Sequence, residues 1–245
     1  MKQLSPQNIQ QFRDSGYTII RHALSTEKVE LLHEEADTLT NFILNEGYDL
    51  TAVLGCIIEP LTCGYLDPAE SDEYKTDKHA YIARRNSVLE NSAVSSIVLE
   101  TVARWAAVLL GNPEQVFLMN EQFIVKPPHS AGASEFAWHQ DSEYLDPRLQ
   151  SHSTVACWIA LDPVDEVNGT IMVSDLKNPA ADPFVVRVPA GSIVFMSNKL
   201  RHKSTGNAGR LFRRVFMPQY SLNPLLSLED DGDAKAIGLA IKCTF

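Results

Sequence analysis

Short runs of β-forming residues, separated by turn-forming residues, fill the second half of this 245-residue chain. Val, Ile, Phe, Thr and Trp dominate the runs, and Pro, Gly, Asn and Asp cluster between them. Short strands in this pattern are typical of antiparallel sandwiches and barrels. The sequence therefore predicts a mainly β domain with strands at 116–125, 153–161, 170–173, 184–188, 192–196 and 212–220.

Helix signals dominate the first half of the chain. Ser5-Pro6 is typical of a helix start, and Gly16 ends that helix before a short β-forming run at 17–20. A second helix follows Ser25, with apolar residues at three- and four-residue spacing, and ends at Gly47. A third helix is predicted at 94–110, and the stretch 51–86 is predicted to be rich in loops.

No repeat or linker separates the helices from the strands, so we expect one domain over residues 1–245. It would consist of a mostly helical and loop part at 1–115, a strand-rich core at 116–222 and a C-terminal tail at 223–245.

Charge and composition restrict the partners of the chain. Its 21 Lys and Arg against 31 Asp and Glu give a net charge of −10, which disfavours binding to phosphate backbones. We expect no nucleic-acid partner, and a small molecule or another protein instead. The longest uninterrupted apolar stretch, Trp105–Leu110, is far shorter than the roughly 18 residues of a membrane-spanning helix, so no span is predicted. Four cysteines without a Cys-x-x-Cys pair, and no secretory leader, predict a cytoplasmic protein.

His139-Gln140-Asp141 is the one His-x-Asp triplet in the sequence. On a strand, residues two apart project from the same face, so the imidazole and the carboxylate could bind one metal ion. Alternatively, the triplet lies in a surface turn and binds no metal. His202 follows a strand-like run and could supply a third ligand. Two histidines and one carboxylate leave coordination positions open, an arrangement that suits non-haem Fe(II) oxygenases.

An oxygenase of this kind also needs a cation for the far carboxylate of a dicarboxylic co-substrate, and arginine offers a bidentate fork for it. Arg213 lies on the strand-like run after His202, and Ser204 lies two residues after that histidine. If the run is extended, Arg214 points to the opposite face. A solvated charge is the alternative for Arg213, as it is for Arg210 and Arg214.

Four groups of residues follow one another in a characteristic order. They are Leu4-Ser5-Pro6 with Gly16–Arg21, Lys126-Pro127-Pro128-His129-Ser130 with Trp138–Asp141, Ala156–Asp162 with Asn168-Gly169-Thr170, and Ala190–Phe195 with His202, Ser204, Asn207 and Arg213-Arg214. In this order and spacing they resemble the phytanoyl-CoA dioxygenase (PhyH) family of Fe(II)/2-oxoglutarate oxygenases. The resemblance covers nearly the whole chain.

The resemblance implies a double-stranded β-helix, or jelly roll, at 116–222, with the N-terminal helices packed outside. It implies that His139, Asp141 and His202 bind Fe(II), and that Arg213, helped by Ser204, binds the side carboxylate of 2-oxoglutarate. The remaining co-substrate contacts that it implies are Trp158 and, on the strand before Lys126, Gln122 or Asn120.

The implied reaction consumes 2-oxoglutarate and O2 and releases succinate and CO2 while a small, lipophilic substrate, such as a natural product, is hydroxylated. Desaturation, epoxidation and cyclisation are open alternatives, and Asp141 disfavours halogenation because it occupies the position where such enzymes hold halide. A metal-dependent isomerase or epimerase with the same ligands is a second hypothesis. A non-catalytic β-sandwich binding protein is a third.

One segment departs from the family pattern. Many members carry Pro-Gly-Ser-His shortly after the Asn-Gly turn, whereas this chain has Val173–Lys177 there. The departure concerns the lid and the substrate class rather than the metal ligands.

Several other polar residues are better explained without a function. His33-Glu34-Glu35 is predicted to lie on a solvated helix surface, since residues two apart do not share a helix face. Arg84-Arg85 is interpreted as a solvated basic spot, with contact to an anionic substrate as the alternative. His129 and His152 are interpreted as loop residues near the site, with contact to the substrate as the alternative.

Overall fold

The structure, a computed structural model, describes residues 4–62, 73–86, 93–112, 114–228 and 234–245. Its helices are α1 (Pro6–Ser15), α2 (Thr26–Asn45), α3 (Lys78–Asn86), α4 (Ala93–Ser96) and α5 (Ala103–Leu110), with a π-helical segment, Ile97–Val102, between the last two. Short 3-10 turns cover Glu73–Lys75 and Asp141–Tyr144.

Thirteen strands are present in the part of the chain that the structure describes. They are β1 (Tyr17–Ile20), β2 (Ile57–Ile58), β3 (Gln115–Lys126), β4 (Phe136–His139), β5 (Thr154–Ala160), β6 (Ile171–Val173), β7 (Phe184–Val185), β8 (Ile193–Ser197), β9 (His202–Ser204), β10 (Arg213–Ser221), β11 (Leu226–Leu228), β12 (Ala234–Ala236) and β13 (Ile241–Thr244). All six strands predicted in the second half are found, within a few residues at each end.

The strands form two main antiparallel sheets. The larger has the order β1-β8-β5-β10-β3-β13, with β2 also paired to β3, and the smaller has the order β4-β9-β6-β7. One apolar cluster lies between the sheets and includes Trp158, Val194 and Val215 of the larger sheet and Ile171 and Val173 of the smaller. This is the predicted jelly roll, with its interior between the two sheets.

The helices cover the other face of the larger sheet. Along β5, Val155, Cys157 and Ile159 belong to the cluster shared with the helices, whereas Ala156 and Trp158 face the smaller sheet. Alternate residues of a strand point to opposite faces, so β5 is buried on both sides. The larger sheet is therefore the central layer of the fold.

The helical segment 93–110 is the one described helix that is long and apolar enough to cross a membrane by length and composition. However, 67% of it is buried inside the fold, and Trp105 packs edge-on against Phe195 of β8. The sequence prediction considered a shorter stretch because Glu100 and Arg104 interrupt the apolar run. The segment packs as a core helix of the domain.

The predicted C-terminal tail at 223–245 is instead partly ordered as strands. β11 and β12 form a hairpin, and β13 pairs with β3 at the edge of the larger sheet. In β13, buried Ile241 and Cys243 alternate with exposed Lys242 and Thr244, the pattern of a half-buried strand. The sequence analysis did not assign this strand.

The prediction that Arg85 is solvated is wrong. Arg85 is 1% exposed, and its guanidinium pairs with Glu35 of α2 and with Glu121 of β3. Nη2 donates to a Glu35 oxygen at 2.7 Å, and Nε donates to Glu121 Oε1 at 2.9 Å. The Tyr81 hydroxyl donates to the same Glu121 oxygen at 2.8 Å. The sequence around a charged helix residue does not show partners that are distant along the chain, so such a residue is predicted to be solvated.

The predicted solvated surface at His33-Glu34-Glu35 is wrong for Glu35, which is 1% exposed, and His33 is half-buried. Its Nε2 lies 3.3 Å from Asp162 Oδ1, and its Nδ1 lies 3.4 Å from Asp37 Oδ2. The hydrogen bond with Asp162 raises the pKa of His33 above its usual value.

Candidate metal centre

A cavity of about 510 Å³ lies between the two sheets. Its walls are largely apolar and include Met119, Ile124, Phe136, Met196 and Met217. Its polar lining residues include the three predicted metal ligands and all five predicted co-substrate residues: His139, Asp141, His202, Arg213, Ser204, Trp158, Gln122 and Asn120. Every residue that the sequence analysis assigned to the site therefore lines one cavity.

Strand pairing brings the two predicted histidine ligands together. His139 ends β4 and His202 begins β9, and the two residues are directly opposite each other in the antiparallel pair. Their ring centroids are 4.2 Å apart. Asp141 opens the 3-10 turn that follows β4, so its carboxylate lies beside both rings.

The three side chains can reach one metal ion. Nε2 of His139 lies 3.7 Å from Asp141 Oδ1, and Nε2 of His202 lies 3.6 Å from the same oxygen. One potential ligand atom from each residue lies within 4.8 Å of the other two. Two imidazole nitrogens and one carboxylate oxygen on one side of an ion are the ligand set of non-haem Fe(II) sites.

Backbone carbonyls and one glutamine orient these ligands. Nδ1 of His139 lies 2.8 Å from the Ala137 carbonyl, and Nδ1 of His202 lies 3.1 Å from the Leu200 carbonyl. A protonated Nδ1 that donates to a carbonyl leaves the Nε2 lone pair free for a metal. Gln219 Nε2 donates to the second Asp141 oxygen at 3.0 Å. Burial lowers the pKa of His202, which favours the neutral form that binds metals.

A cationic region lies at the same cavity, and Arg213 is its main component. The side chain is 1% exposed, and its guanidinium carbon lies 5.8 Å from the centre of the Trp158 ring. Nη1 donates to the Ile124 carbonyl at 3.2 Å, but no described residue provides a partner for Nε. No carboxylate among the described residues forms an ion pair with Arg213. A buried guanidinium in this condition fits an anionic ligand.

Lys126, which the sequence analysis did not assign to the site, is a second basic residue beside Arg213, although it is not among the residues that line the cavity. It is 0% exposed and lies directly opposite Arg213 in the β3–β10 pair. Its Nζ donates to Ser204 Oγ at 2.7 Å and to the Thr205 carbonyl at 2.5 Å. Burial, followed by the charge of Arg213, lowers the pKa of Lys126 to about 6. A correct prediction of the pairing between β3 and β10 would have placed Lys126 beside Arg213.

The residues near the ligand set divide into those that line the cavity and those that do not. Tyr144 and Leu145, just after the metal ligands, line the cavity, and Tyr144 is 76% exposed. His129 and His152 are not among the lining residues. Arg214 points away from the cavity, as expected, and its Nε lies 2.6 Å from Asp37. Arg210 is exposed.

Solved structures of low sequence identity share this fold. The carbocyclase SnoK from nogalamycin biosynthesis, described as non-heme and alpha ketoglutarate dependent, superimposes with a TM-score of 0.64 at 17% identity, over 90% of this chain and 85% of SnoK. The epimerase SnoN, solved with Fe3+, alpha ketoglutarate and nogalamycin RO, has a TM-score of 0.64 at 14% identity and 97% coverage of both chains. EvdO2 from Micromonospora carbonacea var. aurantiaca, solved with 2-oxoglutarate, has a TM-score of 0.60 at 17% identity, over 93% of this chain and 95% of EvdO2.

No curated protein sequence matches the chain. A family model does: the model of phytanoyl-CoA dioxygenase (PhyH) matches residues 12–215, which run from the end of α1 to the start of β10 and include all the predicted metal and co-substrate residues. Together with the fold and the His-Asp-His constellation, this match shows that the chain belongs to the phytanoyl-CoA dioxygenase (PhyH) family.

Proposed function

We propose that this protein is an Fe(II)- and 2-oxoglutarate-dependent dioxygenase that hydroxylates a small, lipophilic molecule. One observation carries the proposal: a metal-ligand constellation and a buried arginine without a carboxylate partner among the described residues line the same apolar cavity. The first requires a metal, and the second requires an anion. A co-substrate that chelates iron through its 2-oxo acid end and carries a second carboxylate meets both requirements.

Each side chain of the site has a specific role in this proposal. His139, Asp141 and His202 hold Fe(II), and Arg213 pairs with the far carboxylate of 2-oxoglutarate. Ser204 hydrogen-bonds the same carboxylate. The other lining residues that contact the co-substrate are Trp158, Gln122 and Asn120.

The bound metal and co-substrate supply the oxidising chemistry, in which one oxygen atom of O2 enters the substrate C–H bond and the other enters succinate as CO2 leaves. The protein chain prepares the ligands and controls access. Gln219 holds Asp141, the Ala137 and Leu200 carbonyls hold the imidazoles, and the apolar walls exclude water from the reacting carbon.

The charge of the chain makes the cationic region necessary. 2-Oxoglutarate is a dianion, whereas the protein carries a net charge of −10. Local positive charge at Arg213 therefore has to offset the unfavourable long-range field.

The cavity walls support a lipophilic substrate. Most lining side chains other than the ligand set are apolar, with Glu59 as a further acidic residue at the wall. SnoK and SnoN, which share the fold, belong to nogalamycin biosynthesis, so we propose that this chain also modifies a natural product.

An anaerobic titration tests the cofactor assignment. Fe(II) and 2-oxoglutarate added without O2 should give the weak visible charge-transfer band of the chelate with the wild-type protein. His139→Ala and His202→Ala should give no band, because each removes one of the three ligands. A normal band in either variant would remove that residue from the metal site.

Cyclisation and epimerisation form a second candidate function, because SnoK is a carbocyclase and SnoN is an epimerase. The mass of the product distinguishes the reactions in a substrate screen that is monitored by succinate release. Hydroxylation adds one oxygen atom, desaturation or oxidative ring closure removes two hydrogen atoms, and epimerisation leaves the mass unchanged. A product of unchanged mass would overturn hydroxylation.

A further inference from the structure

We propose that the substrate of this site is a lipophilic amine, whose protonated nitrogen binds the carboxylate of Glu59 in the cavity wall. The inference deepens the proposed function and rests on it, because it names the chemical class of the molecule that enters the cavity. It also assigns a role to a lining residue that neither the metal nor the co-substrate uses.

Few charged residues line the cavity, and the proposed function uses all but one of them. Among the described residues, the lining carboxylates are Asp141 and Glu59, and the lining basic residues are His139, His202 and Arg213. In the proposed function the metal binds Asp141 and the two histidines, and the far carboxylate of 2-oxoglutarate binds Arg213. Glu59 is the lining charge that is left for the substrate.

The backbone directs Glu59 toward the cavity. Ile57 and Ile58 form β2, which pairs with Ile124 and Phe123 of β3. Ile57 lines the cavity, whereas Ile58 is 0% exposed and belongs to the core cluster on the helical side. Because successive residues of an extended chain point to opposite faces, the next residue returns to the cavity side. Glu59 is accordingly a lining residue.

Glu59 lies apart from the part of the wall that holds the co-substrate. Glu59 and Gly238 each line both the main cavity and a smaller cavity of about 80 Å³, which Arg213 does not line. The side chains that shift the pKa of Arg213 are Cys56 and Asp162, and Glu59 is not one of them. The carboxylate of Glu59 therefore faces a different part of the cavity from the guanidinium.

Apolar groups form the wall beside Glu59. Gly238 has a φ of +71°, and a Cβ at this position would lie 2.6 Å from the Met119 carbonyl oxygen, so the chain after β12 packs closely against β3. Leu239 N donates to the same oxygen at 2.7 Å. The side chains of Met119 and Ile237 line the cavity. A fixed apolar wall beside a carboxylate favours a ligand with a hydrocarbon body and one positive charge.

A lipophilic ligand that fills the cavity removes water from Glu59. Thr62 Oγ1 donates to Glu59 Oε2 at 3.4 Å, which is a long hydrogen bond. A carboxylate that loses water without gaining an equally strong contact opposes binding. A protonated amine replaces the water with a charge-assisted hydrogen bond, whereas a neutral group offers less. The net charge of −10 also attracts a cation, although it opposes the dianionic co-substrate.

A structural role is the competing explanation for Glu59. Lys75 and Glu121 also line the smaller cavity, and Glu121 is already paired with Arg85. Lys75 does not line the main cavity. If Glu59 served only to balance the charge of Lys75, its removal would not discriminate between charged and neutral ligands of the main cavity.

The test compares pairs of ligands that share a hydrocarbon body and differ in one group. The pairs are hexylamine with hexan-1-ol, octylamine with octan-1-ol, and 4-phenylbutylamine with 4-phenylbutan-1-ol, at neutral pH, where the amines are protonated. Isothermal titration uses protein loaded with Mn(II) and 2-oxoglutarate without O2, as wild type, Glu59→Gln and the control Glu34→Gln. Glu34 is exposed on α2 and does not line the cavity, so its variant makes the same change in net charge.

We expect the wild type to bind at least one amine about tenfold more tightly than the matching alcohol, the usual scale for a charge-assisted hydrogen bond. Glu59→Gln should bind that amine about tenfold more weakly, and its affinity for the alcohol should stay within about twofold of the wild type. Both affinities of Glu34→Gln should also stay within about twofold.

Three results would overturn the inference. The first is the absence of an amine preference in every pair, which includes the absence of binding. The second is an amine preference that is unchanged in Glu59→Gln. The third is an equal loss for the amine and the alcohol, which would assign Glu59 a purely structural role.

Should Glu59→Gln fail to fold, a crystal structure of the wild type with the preferred amine decides the question. A nitrogen in hydrogen-bond contact with the Glu59 carboxylate supports the inference, and a nitrogen bound elsewhere overturns it. Failure of the proposed function gives a different result, because the wild type then binds no 2-oxoglutarate. The amine and alcohol pairs, titrated without the co-substrate, would still show whether Glu59 selects an amine.

Discussion

Two arginines, Arg85 on the helical side of the larger sheet and Arg213 on the side of the cavity, are each 1% exposed. Arg85 is paired with Glu35 and Glu121, so its charge is neutralised within the fold. Arg213 has no such carboxylate among the described residues, and its Nε is unpartnered there. Removing one partner of a buried ion pair leaves an uncompensated charge in the fold, whereas a buried charge without a partner in the fold is available to a ligand.

The helical side should show the largest effect on stability. Arg85→Met leaves Glu35 and Glu121 buried without their cation, and loss of one member of a buried ion pair costs about 3–5 kcal/mol. Urea denaturation measures this loss as a fall in the free energy of unfolding. Arg148→Met, which breaks an exposed pair with Asp146, is the matched control and should change little. A loss no larger than in this control would contradict the structural role of Arg85.

The cavity side should show the opposite behaviour. Arg213→Met should weaken 2-oxoglutarate binding about a hundredfold, because a desolvated bidentate contact is lost, and it should leave metal affinity and the free energy of unfolding nearly unchanged. Titration calorimetry and urea denaturation measure the two quantities on the same variant.

Arg214→Met is the matched control for Arg213, since Arg214 faces Asp37 and Asp162 on the other side of the sheet. It should retain the wild-type affinity for 2-oxoglutarate. Unchanged affinity in Arg213→Met would show that Arg213 does not bind the carboxylate.

A smaller effect is expected at the second Asp141 oxygen. Gln219→Leu removes the hydrogen bond that orients this carboxylate, and the loss of such an outer contact lowers metal affinity about tenfold. A competitive metal titration measures the change, with Gln150→Leu on the exposed loop as control. Metal affinity equal to that of the control would show that the strand and turn alone position Asp141.

The smallest effect concerns His33, which is partly exposed on the helical side. Its pKa in the folded protein is raised by the hydrogen bond with Asp162, so this bond stabilises the fold fully below the unfolded-state value of 6.5 and is lost as the pH rises through the folded-state pKa. His33→Asn should therefore lower the free energy of unfolding at pH 5.5 by less than about 1 kcal/mol, and by still less at pH 9. An equal loss at both pH values would show that the ionised histidine makes no contribution.

The sequence analysis predicted the long strands of the larger sheet but not the two short strands that carry the histidine ligands. The strands at 116–125 and 153–161 were predicted because runs of β-forming residues and the turn residues that bound them are local signals. β4 and β9 were not predicted as strands, since neither is a run of β-forming residues and they include His139, His202 and Lys203. The ligands were nevertheless identified from the His-x-Asp motif and the order of the surrounding segments, although Asp141 lies in the 3-10 turn after β4 and not on the strand that the motif argument assumed.

Buried charges were the main failure of the sequence analysis. Arg85 contacts carboxylates that are 50 and 36 residues away, and Lys126 contacts Ser204 at a separation of 78 residues. No local pattern distinguishes such residues from solvated charges. They become recognisable only when strand pairing and helix packing bring their partners together.

A crystal structure of the protein grown anaerobically with Fe(II) and 2-oxoglutarate tests the central claim most directly. We expect one metal ion bound by Nε2 of His139, Nε2 of His202 and a carboxylate oxygen of Asp141. We expect the far carboxylate of 2-oxoglutarate on the guanidinium of Arg213, with Arg85 unchanged in its pair with Glu35 and Glu121. A metal bound elsewhere, or a co-substrate whose far carboxylate does not contact Arg213, would contradict the account.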